Sequence, residues 1–306
     1  MANATAASSA ACGELYRGLA CQRLTLPCGD TVLVALQGAH VLSWVSQGRE
    51  RLYLSPHNLW DGKSAIRGGV PVCFPQFNQR GSLPKHGFAR NMRWHFGHFV
   101  EVAQSGDATH KVESEVSDEG ASMNFTLCTN PDTLLLWQQA FVAEMCINLA
   151  PGQLTVTLIV NNTETLNELH FTGALHTYLA VDDIDLTELR GLGGRPEWDA
   201  VADVHGLADE ALYFDGEFDR VYSWGESASS NPLHLQDGTS SLQIEQSPSW
   251  ANSVVWNPGE GKCAALADMP AQGFARMLCV EAAQVLDPIS IPAGGQWVGW
   301  QRLTVS

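Results

Sequence analysis

The stretch Phe141-Val-Ala-Glu-Met-Cys-Ile-Asn-Leu-Ala-Pro-Gly-Gln-Leu-Thr-Val-Thr-Leu-Ile-Val160 alternates in hydrophobicity on both sides of Pro151-Gly152. Ala143, Met145, Ile147 and Leu149 share one face of an extended chain, and Leu154, Val156, Leu158 and Val160 share a face after the turn. A period of two is the signature of a half-buried strand. Pro-Gly supplies the reversal, because Pro fixes one φ and Gly accepts a positive one. The stretch therefore predicts an antiparallel hairpin.

The same period spreads outward. Residues 31–36 and 40–45 flank a turn at Gly38, and 51–54 follow closely. Further strands are expected over 92–101, 122–129, 169–180, 241–245, 253–256, 277–281 and 297–305. Helical signal is confined to 132–140, a short segment with Asp or Thr near its cap. Short strands separated by Gly, Pro, Asn and Asp turns indicate an all-β chain, a large antiparallel β-sandwich of two packed sheets with few short helices. No internal repeat or linker divides it. The expected organisation is a loose tail over 1–13 followed by a single domain over 14–306.

Composition narrows the function. The chain has 306 residues, 45% hydrophobic, with ten tryptophans that need burial or a ligand. Its formal net charge of −16 repels nucleic acid and anionic membranes, so neither is an expected partner. An anionic substrate would need a local cluster of arginines against that field. Of the eight cysteines, Cys73, Cys146, Cys263 and Cys279 lie in apolar runs, and no Cys/His spacing resembles a zinc site. No run approaches the roughly 20 apolar residues of a membrane span. The Ala/Ser-rich start lacks the features of a signal peptide or presequence. A reduced, cytoplasmic protein without metal or cofactor is expected, and a monomer is the simplest state.

Three polar islands interrupt apolar strand sequence. Arg67-Gly-Gly-Val-Pro-Val-Cys-Phe-Pro-Gln-Phe77 places two glycines beside an arginine, which would let backbone and guanidinium approach a ligand, and Gln76 offers an amide to sugar hydroxyls. Taken alone, a plain turn with an exposed arginine is the simpler reading. Pro84-Lys-His-Gly-Phe-Ala-Arg90 gathers Lys85, His86 and Arg90 in an acidic protein, so Arg67 and Arg90 together would suit a phosphate. In Ala174-Leu-His-Thr-Tyr178, alternation puts His176 on a face with Ala174 and Tyr178; in Met277-Leu-Cys-Val-Glu281, Glu281 shares a face with Met277 and Cys279. A hydrogen-bonded core histidine and an outer-face carboxylate are the plainer alternatives. Asp219 in Phe218-Asp-Arg-Val-Tyr222 is a further carboxylate able to accept sugar hydroxyls.

At these residues the sequence resembles the hexose-6-phosphate mutarotases (glucose-6-phosphate 1-epimerases), relatives of the aldose 1-epimerases. The resemblance is carried by Ser64-Ala-Ile-Arg-Gly-Gly-Val-Pro-Val-Cys-Phe-Pro-Gln-Phe77, His86-Gly-Phe-Ala-Arg90, Leu175-His-Thr-Tyr178, Asp219-Arg-Val-Tyr222, Val255-Trp-Asn-Pro258 and Cys279-Val-Glu281, in the family's order. It implies a galactose-mutarotase-like sandwich with its site on a concave sheet face, and a metal-independent isomerase acting on a sugar phosphate. It also implies a general base at Glu281 and a general acid at His176, with substrate contacts from Arg67, Gln76, His86, Arg90 and Asp219. A carboxylate beside an imidazolium is the expected resting state, with a bell-shaped pH profile. Phe74 and Trp256 are each more simply core residues than sugar-stacking ones. A glycoside hydrolase would need a second well-placed carboxylate. A non-catalytic sugar-binding module would need no acid–base pair, and an enzyme for unphosphorylated aldoses would have no use for clustered arginines. The acidic stretch 199–217 matches no motif.

Overall fold

The computed structural model describes residues 10–102, 120–225, 232–238 and 240–306. Three antiparallel sheets make up the chain. A five-stranded meander runs in sequence order from Ala10–Tyr16 to Arg49–Glu50. A nine-stranded sheet has Gln153–Asn162 and Phe141–Ala150 near its middle, flanked by Gln296–Val305 and Gly120–Cys128. An eight-stranded sheet is ordered Val204–Leu207, Pro196–Asp199, Phe218–Ser223, Asn252–Asn257, Met277–Ile291, Leu169–Leu175 and Val72–Cys73, with Tyr178–Ala180 also pairing onto Met277–Ile291.

The hairpin forms as its alternation requires. Leu154 pairs with Leu149, Val156 with Ile147 and Leu158 with Met145, all at most 3% exposed. Cross-strand apolar pairs of this kind hold register, and burying each such side chain contributes about 1.5–3 kcal/mol. They join one continuous core with Trp44 and Val34 of the meander and with Leu175, Leu278, Val280 and Ala282 of the eight-stranded sheet. The central strands of that last sheet thus give one face to this core, and their opposite face carries smaller buried clusters around Val254 and Cys279. All-β architecture with two large sheets is as expected; the separate five-stranded meander is an addition.

Several boundaries differ from the sequence reading. The first strand begins at Ala10, inside the segment read as a loose tail, because it pairs along its whole length with Leu19–Thr25. Residues 51–54 form only isolated bridges, to Leu179 and to Gly68. The helix is Pro131–Leu136: Asn130 caps it by accepting from Asp132 N and Thr133 N, and Trp137 leaves it extended to pack on Phe74 and Phe141. The strand expected over 277–281 runs on to Ile291. The acidic stretch supplies edge strands, Val204–Leu207 and Ala211–Leu212.

His40 is buried completely, with Nε2 2.7 Å from the Gly68 carbonyl and Nδ1 unpartnered. Burial pushes its pKa from 6.5 down to about 4. Between those values the unfolded chain binds the proton and the folded chain does not, so stability rises with pH there and is lost as pH falls from about 6.5 to about 4. The full difference corresponds to about 3 kcal/mol. Urea midpoints measured across this window should fall with acidification, and His40→Asn should flatten the slope by about one proton; an unchanged slope would refute the assignment.

Candidate active site

Register assembles the site. Across the eight-stranded sheet, Asp219 stands opposite Trp256, Trp256 opposite Cys279, and Cys279 opposite Tyr178. In the next row Val221 pairs with Val254 and Val254 with Glu281. Paired residues, and residues two apart in a strand, share a face. That face is the one turned away from the core, since the intervening Val255, Leu278, Val280 and Ala282 belong to the core.

The predicted strand over 169–180 is broken at His176 and Thr177. His176 N donates to Pro71 O, and Thr177 O accepts from Val280 N. The Thr177 hydroxyl donates to Gln301 Oε1, and the Gln301 amide donates to Val280 O at 2.9 Å. Gln301 is buried and belongs to the nine-stranded sheet. It ties together the chain neighbours of His176 and of Glu281. The side-chain faces are nonetheless those the alternation gave, with the His176 ring stacked on Tyr178 at 4.8 Å between centroids.

His176 Nε2 lies 3.3 Å from Glu281 Oε1. The two residues are 8% and 1% exposed, and neither His176 Nδ1 nor Glu281 Oε2 has a hydrogen-bond partner. Burial drives the histidine pKa down to about 3, with Arg90, Arg67 and Lys85 adding to the effect. Burial also raises the Glu281 pKa well above the usual carboxylate range, and Asp219 adds to that. Both shifts favour a neutral imidazole beside a protonated carboxyl, the reverse of the imidazolium and carboxylate expected from the sequence. Burial removes water's stabilisation of both charges, and the nearby cations oppose a positive ring.

Those cations form a cluster. Arg67 donates through Nε to Asp268 Oδ1 at 2.8 Å and through an Nη to the Tyr178 hydroxyl at 3.3 Å. Arg90 donates to Lys85 O at 2.9 Å, and its Nε is buried without a partner. Burial and then Lys262, Arg90 and Arg67 push the Lys85 pKa down. Lys262 stands on the short helix Gly259–Ala264 and pairs with Glu217 at 2.6 Å. Lys85 and Lys262 are two of only four lysines in the chain.

The other expected site residues divide. His86 lies beside His176, ring centroids 5.4 Å apart, and its Nδ1 accepts from Asn78 N, which leaves the ring hydrogen on Nε2. Burial pushes its pKa down. Asp219 is half-buried on the site face, its pKa raised by burial. Gln76 is corrected: its amide donates to Asn78 O and Leu83 O and accepts from Leu83 N, so it braces the 76–86 loop. Gly68 and Gly69 serve close backbone contact instead of ligand approach, since a Cβ would lie 2.3 Å from Tyr53 O and 2.0 Å from Val41 O. Phe74 is core, within 5.6 Å of Trp137, Phe141 and Phe171 between ring centroids. Trp256 is half-buried at the site, its ring 6.1 Å from that of His176.

The sequence reading did not reach Lys262, Asp268 or Gln301. The scarcity of lysine was a usable signal for Lys262. Nothing local marks the other two.

The electrostatics give a direct test. Histidine NMR on the ligand-free protein should find His176 neutral throughout the range from pH 7 to 5, because its pKa lies near 3. Arg90→Gln removes a cation that opposes its protonation and should move its titration upward. An imidazole that titrates near 6.5 in both proteins would overturn this description.

Comparison with known proteins bears on the family and the fold. The sequence profile of the family described as aldose 1-epimerase matches residues 21–304. A protein of Cenchrus ciliaris named "Putative glucose-6-phosphate 1-epimerase" is 31% identical over 271 residues, covering 87% of this chain and 78% of its own. One of the same name from Escherichia coli K12 is 35% identical over 255 residues, covering 81% and 78%. The crystal structure titled as a putative mutarotase (YeaD) from Salmonella typhimurium superposes with a TM-score of 0.82 at 27% identity, covering 97% of this chain and 93% of that one. A galactose mutarotase related enzyme from Lactobacillus acidophilus shares the fold, with a TM-score of 0.68 at 13% identity over 97% of each chain. With its fold and sequence matched over nearly their whole length, the chain belongs to the aldose 1-epimerase family.

Proposed function

We propose that the chain interconverts the α and β anomers of a hexose 6-phosphate, glucose 6-phosphate above all, by acid–base opening and closing of the ring. The observation that carries this reading is the buried His176–Glu281 contact of 3.3 Å, with an unsatisfied polar atom on each partner, beside the Arg67, Lys85 and Arg90 cluster. Arginine offers a planar fork of donors that suits phosphate oxygens, and Lys85 adds charge.

The phosphate also sets the proton's position. Burial is the larger cause of the lowered His176 pKa, and the cations that add to it are ones a phosphate dianion would neutralise. With substrate bound, the shared proton passes from the Glu281 carboxyl to the imidazole across their contact. Glu281 then takes the proton of the anomeric hydroxyl while His176 delivers its own to the ring oxygen, and the C1–O5 bond breaks. The C1–C2 bond rotates, and closure on the other carbonyl face reverses both transfers. Each catalyst typically contributes roughly 10²–10⁴-fold. His86, with its Nε2 hydrogen, and Asp219 are suited to holding sugar hydroxyls, and Trp256 to covering an apolar face of the ring.

A cytoplasmic monomer is part of the same proposal. The eight cysteines, all unpaired, support a reducing compartment. No helix among the described residues is long and apolar enough to cross a membrane.

Exchange NMR of glucose 6-phosphate anomers tests the reading, with glucose as control. The enzyme should accelerate exchange of the phosphate ester far more than that of glucose. Glu281→Gln should lower kcat by about 10²–10⁴-fold, and near-normal exchange in that variant would reject the assignment. Arg67→Gln and Arg90→Gln should each raise KM for the phosphate ester by about 10–100-fold, the worth of a charge-assisted contact, with little effect on the slow reaction of glucose.

A further inference from the structure

The acid–base pair has a third neighbour that the reaction does not use. Cys279 lies two residues before Glu281 on the same strand face, opposite Tyr178 in the ladder. One imidazole nitrogen of His176, the Cys279 sulfur and one carboxylate oxygen of Glu281 lie within 4.8 Å of one another, all three residues buried. We infer that these three side chains form an inhibitory site for a borderline-soft divalent cation, Zn²⁺ foremost.

The donor set fits that ion. Imidazole, thiolate and carboxylate are the three side-chain ligand types zinc takes, at about 2.0–2.3 Å. Tetrahedral bonds of that length place donors about 3.3–3.7 Å apart, so the trio needs to contract by about 1 Å, within the reach of small χ adjustments. The unpartnered His176 Nδ1 and Glu281 Oε2 show that the fold does not spend the remaining capacity of these groups elsewhere. Three protein ligands leave a fourth position for water or a sugar hydroxyl, as in open zinc sites. Hard cations such as Mg²⁺ prefer six oxygens and are excluded by this set.

The surroundings limit the affinity. Arg67, Lys85 and Arg90 all act on His176 and oppose a dication, while Asp219 acts on Glu281 and favours one. The site is accordingly a reversible one, weaker than a closed four-ligand structural site. Occupation ties the His176 ring and the Glu281 carboxylate to the metal through one atom each, and so blocks the proton transfers assigned to the pair. Inhibition therefore rests on the acid–base proposal, whereas metal binding itself does not.

Two readouts separate those claims. Co²⁺ replaces Zn²⁺ with similar geometry and reports a thiolate ligand by charge-transfer absorption. The exposed Cys12, Cys28 and Cys128 take metal equally in every variant, so the difference between wild type and Cys279→Ala isolates the buried site. Wild type should show a charge-transfer band that Cys279→Ala lacks and that glucose 6-phosphate displaces. Zinc should slow anomer exchange reversibly, EDTA should restore it, and the half-inhibitory concentration should rise about tenfold or more in Cys279→Ala, given that even outer-shell changes cost 10–100-fold in affinity. Identical cobalt spectra in the two proteins would overturn the site. A displaceable band without any effect of zinc on exchange would uphold the site and overturn the acid–base role. Should Cys279→Ala fail to fold, Cys279→Ser decides in its place: it keeps the side chain's size and removes the thiolate, and a charge-transfer band that persists in it rejects the site.

Discussion

Everything at this site follows from burying a carboxyl and an imidazole against each other with too few hydrogen bonds to satisfy either. A buried polar atom left unpaired costs about 1–3 kcal/mol, and here each partner carries one. The structure sustains this because the strands that hold Glu281 and flank His176 are anchored from behind. Their opposite faces, through Leu175, Leu278, Val280 and Ala282, sit in the main core. Gln301 reaches across from the other large sheet to fix the backbone on both sides of the pair. Stability and chemistry thus occupy opposite faces of the same strands.

How much of this the sequence discloses depends on how local each cause is. The hairpin of 141–160 is legible because its alternation and its Pro151-Gly152 turn lie within twenty residues. The faces of His176 and Glu281 are legible for the same reason, even though the chain breaks its ladder after Leu175. Pairing them is another matter, since residues 176 and 281 meet only through sheet register, and it was the resemblance to a known family that assigned their roles. Asp268 and Gln301 were invisible because each acts through bonds to residues far away in sequence. Gln76 and the Gly68-Gly69 pair were misread: a loop brace and a tight backbone crossing look, in sequence, like ligand contacts. The resting protonation state was misread too, because it depends on the depth of burial and on cations gathered from separate loops.

The charge distribution carries its own logic. A chain of net charge −16 gathers Arg67, Lys85, Arg90 and Lys262 close enough to act on one another. Its general field disfavours anions, and its local field attracts them. The same local field bears on His176, so the proposed substrate would be both the ligand of the cations and the agent that relieves their pressure on the acid–base pair. A neutral sugar lacks that second effect whatever its fit, which gives phosphate a part in chemistry as well as in binding.

Tyr178 has a consequence of another kind. Its hydroxyl accepts from Arg67 at 3.3 Å, and its ring lies flat against that of His176, 9° from parallel. Arg67 is held in turn by Asp268 through Nε, and its backbone by Asn58. One rigid ring therefore sets the interval between the guanidinium and the imidazole. Under the proposed function that interval works as a gauge, spanning from the phosphate to the anomeric carbon. A sugar whose two ends are spaced for a shorter or longer backbone cannot engage both at once, so selection among phosphorylated sugars becomes a matter of length as much as of hydroxyl configuration.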